Sequence, residues 1–207
     1  MKNNSILRTT LLAGIALLLT SNVNAQGGKT YFGATFGNTT VDTGVTGLTG
    51  TANLDESSTG TKIFFGKKMS QNVSIEGFYV DVGEAILTGN TTDKFVSEGI
   101  LYAFIVDNAK VEDSANGFGF NANLSHNFSK NSSVLARLGI MSWDYTRKIS
   151  GVGVASTTSS KSGTDVFYGI GYRYGFNKEY SLTVDYDAYK INEEIVSMTS
   201  VGVQYNF

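Results

Sequence analysis

At 207 residues and a net charge of −2, the chain is most simply one domain behind a leader, and its weak negative balance makes no electrostatic case for nucleic acid. It has no cysteine, which excludes disulfides, thiolate metal sites and cysteine nucleophiles. Proline is absent too, beside 24 glycines, a balance that suits unbroken β ladders with crowded inner positions.

The N-terminus carries Lys2 and Arg8, then an apolar run over residues 11–19 interrupted by Gly14, then Val23-Asn24-Ala25. This order predicts a signal peptide over residues 1–25, cleaved between Ala25 and Gln26, because the apolar run is well short of the roughly 20 residues that span a bilayer. No later apolar run is long enough for a membrane helix, so any crossing falls to strands in residues 26–207.

Eight segments alternate with period two. Residues 29–39 set Phe32, Ala34 and Phe36 against Tyr31, Gly33 and Thr35, and residues 60–69 set Ile63 and Phe65 against Lys62, Phe64 and Gly66. Residues 71–83 follow after a short polar turn, with Val73, Ile75 and Tyr79 opposite Ser74 and Glu76. The clearest is 116–128, where Phe118, Phe120, Ala122, Leu124 and Phe128 oppose Gly119, Asn121, Asn123, Ser125 and Asn127, a sorting no helix would give. Residues 132–149 oppose Val134, Ala136, Leu138 and Ile140 to Arg137 and Gly139, with room for a bulge and change of phase around Trp143 and Tyr145. In 164–176, Val166, Tyr168, Ile170, Tyr172, Tyr174 and Phe176 oppose Phe167, Gly169, Gly171, Arg173 and Gly175. Residues 179–191 oppose Leu182, Val184, Tyr186 and Ala188 to Thr183, Asp185, Asp187 and Tyr189, and the chain closes on Val201, Val203, Tyr205 and Phe207 against Gly202, Gln204 and Asn206.

The connections alternate as well. Residues 69–71, 129–131 and 177–178 are short; 40–59, 84–114 and 150–163 are long, and 192–196 intermediate. Short turns at one end and long loops at the other predict an all-β, eight-stranded antiparallel up-and-down transmembrane barrel. Loops 40–59 and 150–163 are Thr-, Gly- and Ser-rich and read as solvated; 84–114 contains the apolar Ile100-Leu101-Tyr102-Ala103-Phe104-Ile105-Val106. That patch packs within its loop, covers the mouth, binds an extracellular partner, or adds a hairpin that would make ten strands.

Gly60-Thr61-Lys62-Ile63-Phe64-Phe65-Gly66 and Val73-Ser74-Ile75-Glu76-Gly77-Phe78-Tyr79-Val80-Asp81-Val82-Gly83 resemble the second and third strands of the OmpA-like outer-membrane barrel family. The likeness continues in Leu135-Ala136-Arg137-Leu138-Gly139, Tyr168-Gly169-Ile170-Gly171-Tyr172-Arg173-Tyr174, Leu182-Thr183-Val184-Asp185-Tyr186 and the closing Val201-Gly202-Val203-Gln204-Tyr205-Asn206-Phe207. It implies a cell outer-membrane protein embedded in lipid and lipopolysaccharide, with Val203, Tyr205 and Phe207 resembling the signal read by the barrel-assembly machinery. Many members continue into a peptidoglycan-binding domain; none is expected here, so cell-wall tethering is not carried over.

Alternation turns Lys62, Arg137 and Arg173 inward with Glu76, Asp185 and Asp187, three charges of each sign in a narrow tube. Charges there are costly unless paired, so the expectation is a lumen plugged by salt bridges. The lone His126 lies on the apolar face near a short turn, which leaves serine without a histidine base; no enzyme, metal site or cofactor is expected. The functional expectation is a monomer with a structural and surface-interaction role. A small diffusion pore, an adhesin or host-factor binder acting through loop 84–114, and a soluble periplasmic lipocalin-like binder stand as alternatives.

Overall fold

The computed structural model describes residues 29–207; the expected leader and its Ala25/Gln26 cleavage point lie outside the described residues. The strands are β1 (Thr30–Val41), β2 (Asn53–Asp55), β3 (Ser57–Lys68), β4 (Val73–Gly89), β5 (Lys94–Ser97), β6 (Ile100–Ala103), β7 (Ala109–Asn127), β8 (Ser132–Gly151), β9 (Val154–Gly175), β10 (Tyr180–Ile191) and β11 (Glu194–Asn206). Eight of them, β1, β3, β4, β7, β8, β9, β10 and β11, pair antiparallel with their chain neighbours, and the ring closes where β1 meets β11. That seam runs from Tyr31 opposite Asn206 to Val41 opposite Val196, and the Phe207 amide donates to the Thr30 carbonyl at 2.9 Å. No barrel edge is left unpaired.

The outward face is what lipid requires. Leu138 and Ile170 are 66% and 64% exposed, within a belt that includes Phe36, Ile63, Leu124, Val184 and Val203. Water would not tolerate so continuous an apolar surface on a monomer. Tyr172, Tyr174, Phe176, Tyr180 and Phe207 crowd the periplasmic rim, where aromatic rings sit at the headgroup level.

Above Ile140 the outward residues of β8 become Ser142, Asp144 and Thr146, so the wall leaves the lipid there while the strands continue. This overturns several loop boundaries. The segment 150–163 is a two-residue turn at Val152 and Gly153 followed by the outer part of β9, with Gly153 at φ +75° in the left-handed region. Its run of Thr and Ser has both faces exposed, so it carries no alternation, and backbone pairing to β8 holds it as a strand. Likewise 192–196 shrinks to the turn at Asn192 and Glu193, both at positive φ, as in a type I′ hairpin.

The bulge allowed in β8 does not occur: Arg137, Gly139, Met141, Trp143 and Tyr145 keep one phase, and pairing with β7 is unbroken. A bulge lies instead in β4, where Val82 and Gly83 both oppose Ala115, with Gly83 at φ +74°. It moves the inward residues from Phe78, Val80 and Val82 to Ala85 and Leu87, which carries β4 on to Gly89. Loop 84–114 therefore reduces to 90–108, whose β5–β6 hairpin forms its own two-stranded sheet, so the barrel has eight strands and not ten. In loop 40–59, β2 pairs with the upper part of β4.

Candidate functional site

The interior is built in layers. Midway through the wall, Lys62 on β3 meets Arg137 on β8 and Asp185 and Asp187 on β10, all at most 5% exposed. Arg137 Nη2 donates to Asp185 Oδ1 at 2.5 Å and Nη1 to Asp187 Oδ1 at 3.0 Å, while Lys62 Nζ donates to Asp187 Oδ2. The Tyr189 hydroxyl donates to the same Asp187 oxygen at 3.2 Å. Two cations and two anions make the layer neutral. Space for it comes from β9: a Cβ on Gly169 would lie 2.1 Å from Asp187 Oδ1, and one on Gly171 would lie 2.2 Å from Asp185 Oδ1.

Of the six charges expected in one network, these four come together. Glu76 belongs to a neutral-donor cluster instead: Oε1 lies 2.8 Å from the Tyr31 hydroxyl, whose one proton it accepts, and Oε2 accepts from Asn121 Nδ2 at 3.3 Å. Asn123 extends this cluster to Ser74 Oγ at 3.1 Å. Arg173 joins neither group. Its guanidinium lies over the Tyr31 ring, 5.3 Å from the centroid, at the periplasmic end.

Toward the outside, the lumen is filled by carbon, a feature the sequence reading missed. Phe167 stacks on Tyr189 at 4.9 Å and 10°, Phe78 tilts against Phe167 at 4.9 Å, and Val80, Met141, Trp143, Tyr145, Val196 and Met198 pack around them. The signal was present: Phe64, Phe167 and Tyr189 fall on the small, polar side of their own alternations, where only an interior packed with side chains would put them.

Above this plug opens a cavity of about 970 Å³, lined by Asp42, Leu54, Leu87, Phe95, Asp113, Arg147, Ile149 and Glu194 among others. The β5–β6 hairpin borders it with Phe95 and Tyr102, which stack at 5.4 Å, and just beyond β6 Phe104 packs with Leu87 and Ala109. Packing within the loop thus accounts for Phe104 and Val106, whereas Ile100, Leu101 and Ile105 face outward, Ile105 at 86% exposure. Asp93 anchors the segment by accepting from the Thr51 hydroxyl at 2.6 Å and amide at 3.2 Å and the Asn90 amide at 2.9 Å; the Thr51 hydroxyl bond, first, holds its carboxyl below the ordinary value. Arg147 grips Asp113 with two bonds of 2.7 Å. Glu194 is pushed the other way, upward, by burial and then by the Asp113 carboxylate.

His126 lies exposed on the outward face near the periplasmic rim, away from any serine cluster of the lumen. Val203 and Phe207 face outward beside Tyr205, which stacks edge-on against Phe207 at 5.0 Å.

Replacing Arg137 with Met leaves Asp185 without its cation and is expected to cost about 3–5 kcal/mol in urea unfolding from lipid vesicles. Removing the whole layer, Lys62→Met, Arg137→Met, Asp185→Asn and Asp187→Asn together, should recover most of that loss; a larger loss for the quadruple variant would contradict the pairing. For Glu194, a raised folded value means its contribution is present in acid and lost as pH rises through that value. Glu194→Gln is therefore expected to slow amide exchange in the β10–β11 hairpin at neutral pH and to flatten its pH dependence, and an unchanged profile would contradict this.

Comparison with known proteins agrees with this architecture. Among solved structures, Ail of Yersinia pestis in complex with the heparin analogue sucrose octasulfate is similar at 14% identity over 87% of this chain and 99% of that one, with a TM-score of 0.54. The N-terminal β-barrel domain of Pseudomonas aeruginosa OprF is similar at 14% identity over 88% and 100%, with a TM-score of 0.50. These likenesses concern the fold alone, and no curated protein matches. The family described as the outer membrane protein β-barrel domain matches residues 10–207, and the chain belongs to that family of outer-membrane barrels.

Proposed function

We propose that this protein is a non-enzymatic, monomeric outer-membrane barrel whose lumen is closed and whose task is to hold an extracellular platform at the cell surface. The observation that carries the reading is the pair of layers in the lumen, the neutral Lys62–Arg137–Asp185–Asp187 layer and the aromatic plug on Phe78, Phe167 and Tyr189. An eight-stranded tube has room for little beyond its side chains, and here the side chains include seven buried aromatic rings. The leader would export the chain, and the outward aromatics Tyr205 and Phe207 would serve the assembly machinery while their rings rest in lipid beside lipopolysaccharide.

In planar bilayers the refolded monomer is expected to show no steady conductance; a large stable conductance would favour the diffusion-pore reading and contradict the plug.

A second reading, adhesion, draws on the hairpin, because Ile100, Leu101 and Ile105 are exposed apolar side chains outside the lipid belt. Ail, a barrel of similar fold, is known in complex with the heparin analogue sucrose octasulfate, and a binding role would suit the platform of this chain. Exchanging residues 94–103 for a Gly-Ser linker should leave heat-modifiable barrel in the outer membrane and reduce attachment of expressing cells to cultured epithelium to the level of non-expressing cells. Attachment that survives the exchange would sink the hairpin as the binding element.

A further inference from the structure

The periplasmic mouth of the lumen holds charge that the two closed layers do not use. Lys29, Lys68, Lys130, Lys178 and Arg173 line one pocket of about 180 Å³ together with Asn127, Asn131, Asn177, Asn206 and several serines, and among the described residues no carboxylate side chain lines it. The contributors come from the ends of β3, β8, β9, β10 and β11 and from the turns at 128–131 and 176–179, so the cations converge only once the ring has closed. Arg173 is the innermost. Its Nε and Nη2 are buried without a hydrogen-bond partner among the described residues. Glu76, the carboxylate of the layer above, is taken by the Tyr31 hydroxyl and Asn121, while the guanidinium lies over the Tyr31 ring.

Five cations around so small a space repel one another, and a guanidinium whose buried Nε and Nη2 hold three N–H groups without a partner is costly to leave unsatisfied. A single carboxylate would offset one of five charges. A tetrahedral dianion offers two charges and oxygens directed at the guanidinium fork, the surrounding ammonium groups and the amide donors of Asn131 and Asn177. The volume admits a phosphate group with a short stem. We propose that the periplasmic mouth is a binding site for a phosphate-class dianion, seated on Arg173 and encircled by Lys29, Lys68, Lys130 and Lys178. The seat would neutralise the lower lumen as Asp185 and Asp187 neutralise its middle, and it stands whether or not the barrel conducts.

The site has two possible suppliers, free phosphate in the periplasm and a phosphomonoester lipid headgroup of the inner leaflet, and the experiment separates them. The refolded protein in phosphatidylcholine nanodiscs is titrated with inorganic phosphate, followed by phosphorus NMR line broadening and by the Arg173 Nε–H resonance; a second preparation contains phosphatidic acid and no free phosphate. A saturable shift of Arg173 in the first preparation supports the site with a soluble ligand, and a shift in the second alone supports it with a headgroup. Arg173→Gln should weaken binding about tenfold, the scale of one charge-assisted hydrogen bond. Because Arg173 packs inside the wall, Lys130→Gln with Lys178→Gln, both in solvent-exposed turns, provides a variant whose barrel remains intact, and a similar loss is expected. No shift in either preparation, binding unchanged in both variants, or acetate competing as well as phosphate would each overturn the proposal.

Discussion

Arg137 is held inside a tube where its charge has to be neutralised in place, because a guanidinium out of water costs several kcal/mol that only close, well-directed partners offset. Asp185 and Asp187 supply them from one strand, two residues apart and therefore on one face, and Lys62 balances the second carboxylate from across the lumen. The requirement spreads outward from there. Gly169 and Gly171 must lack side chains for the carboxylates to fit, and β8, β9 and β10 must hold their register, since a slip of one residue would turn these charges into lipid. A neutral layer thus specifies pairing as well as filling space.

The other layers follow from what each depth of the wall faces. Within the lipid, outward positions are mostly aliphatic or aromatic, and the lower half of the interior mixes its polar and charged groups with Tyr31, Phe64 and Leu135. Beyond the lipid the relation reverses on β8, with Ser142 and Asp144 outside and Trp143 and Tyr145 inside. The aromatic plug begins within the lipid span, where Phe167 lies behind the outward Val166 and Tyr168, and continues through Trp143 and Tyr145 into the taller wall of β4, β7, β8 and β9 that carries the hairpin. The platform results from these strands outlasting the membrane, and the plug joins it to the charged layer below.

Where one face met lipid and the other met small or polar side chains, the architecture was legible in the sequence. Residues 116–128 illustrate this, with Phe118, Phe120, Ala122 and Leu124 outward and Gly119, Asn121 and Asn123 inward. Where that contrast ends, the reading failed for identifiable reasons. Residues 154–163 are exposed on both faces and look like a loop, the bulge at Val82 and Gly83 resets the alternation of β4, and the reversal at Trp143 imitates a bulge that is not there. Among the candidate charges, alternation gave the inward face but not the height. It did not show that Tyr31 would hold Glu76 through its hydroxyl and meet Arg173 through its ring, because those three residues come from β1, β4 and β9 and meet only across the closed ring.

Whether two aspartates hold Arg137 inside a closed lumen is measured directly by nitrogen-15 NMR of the guanidinium in nanodiscs. Separate, slowly exchanging Nη1 and Nη2 signals with through-space contacts to Asp185 and Asp187 are expected. A single averaged Nη signal in rapid exchange with bulk water would contradict the pairing.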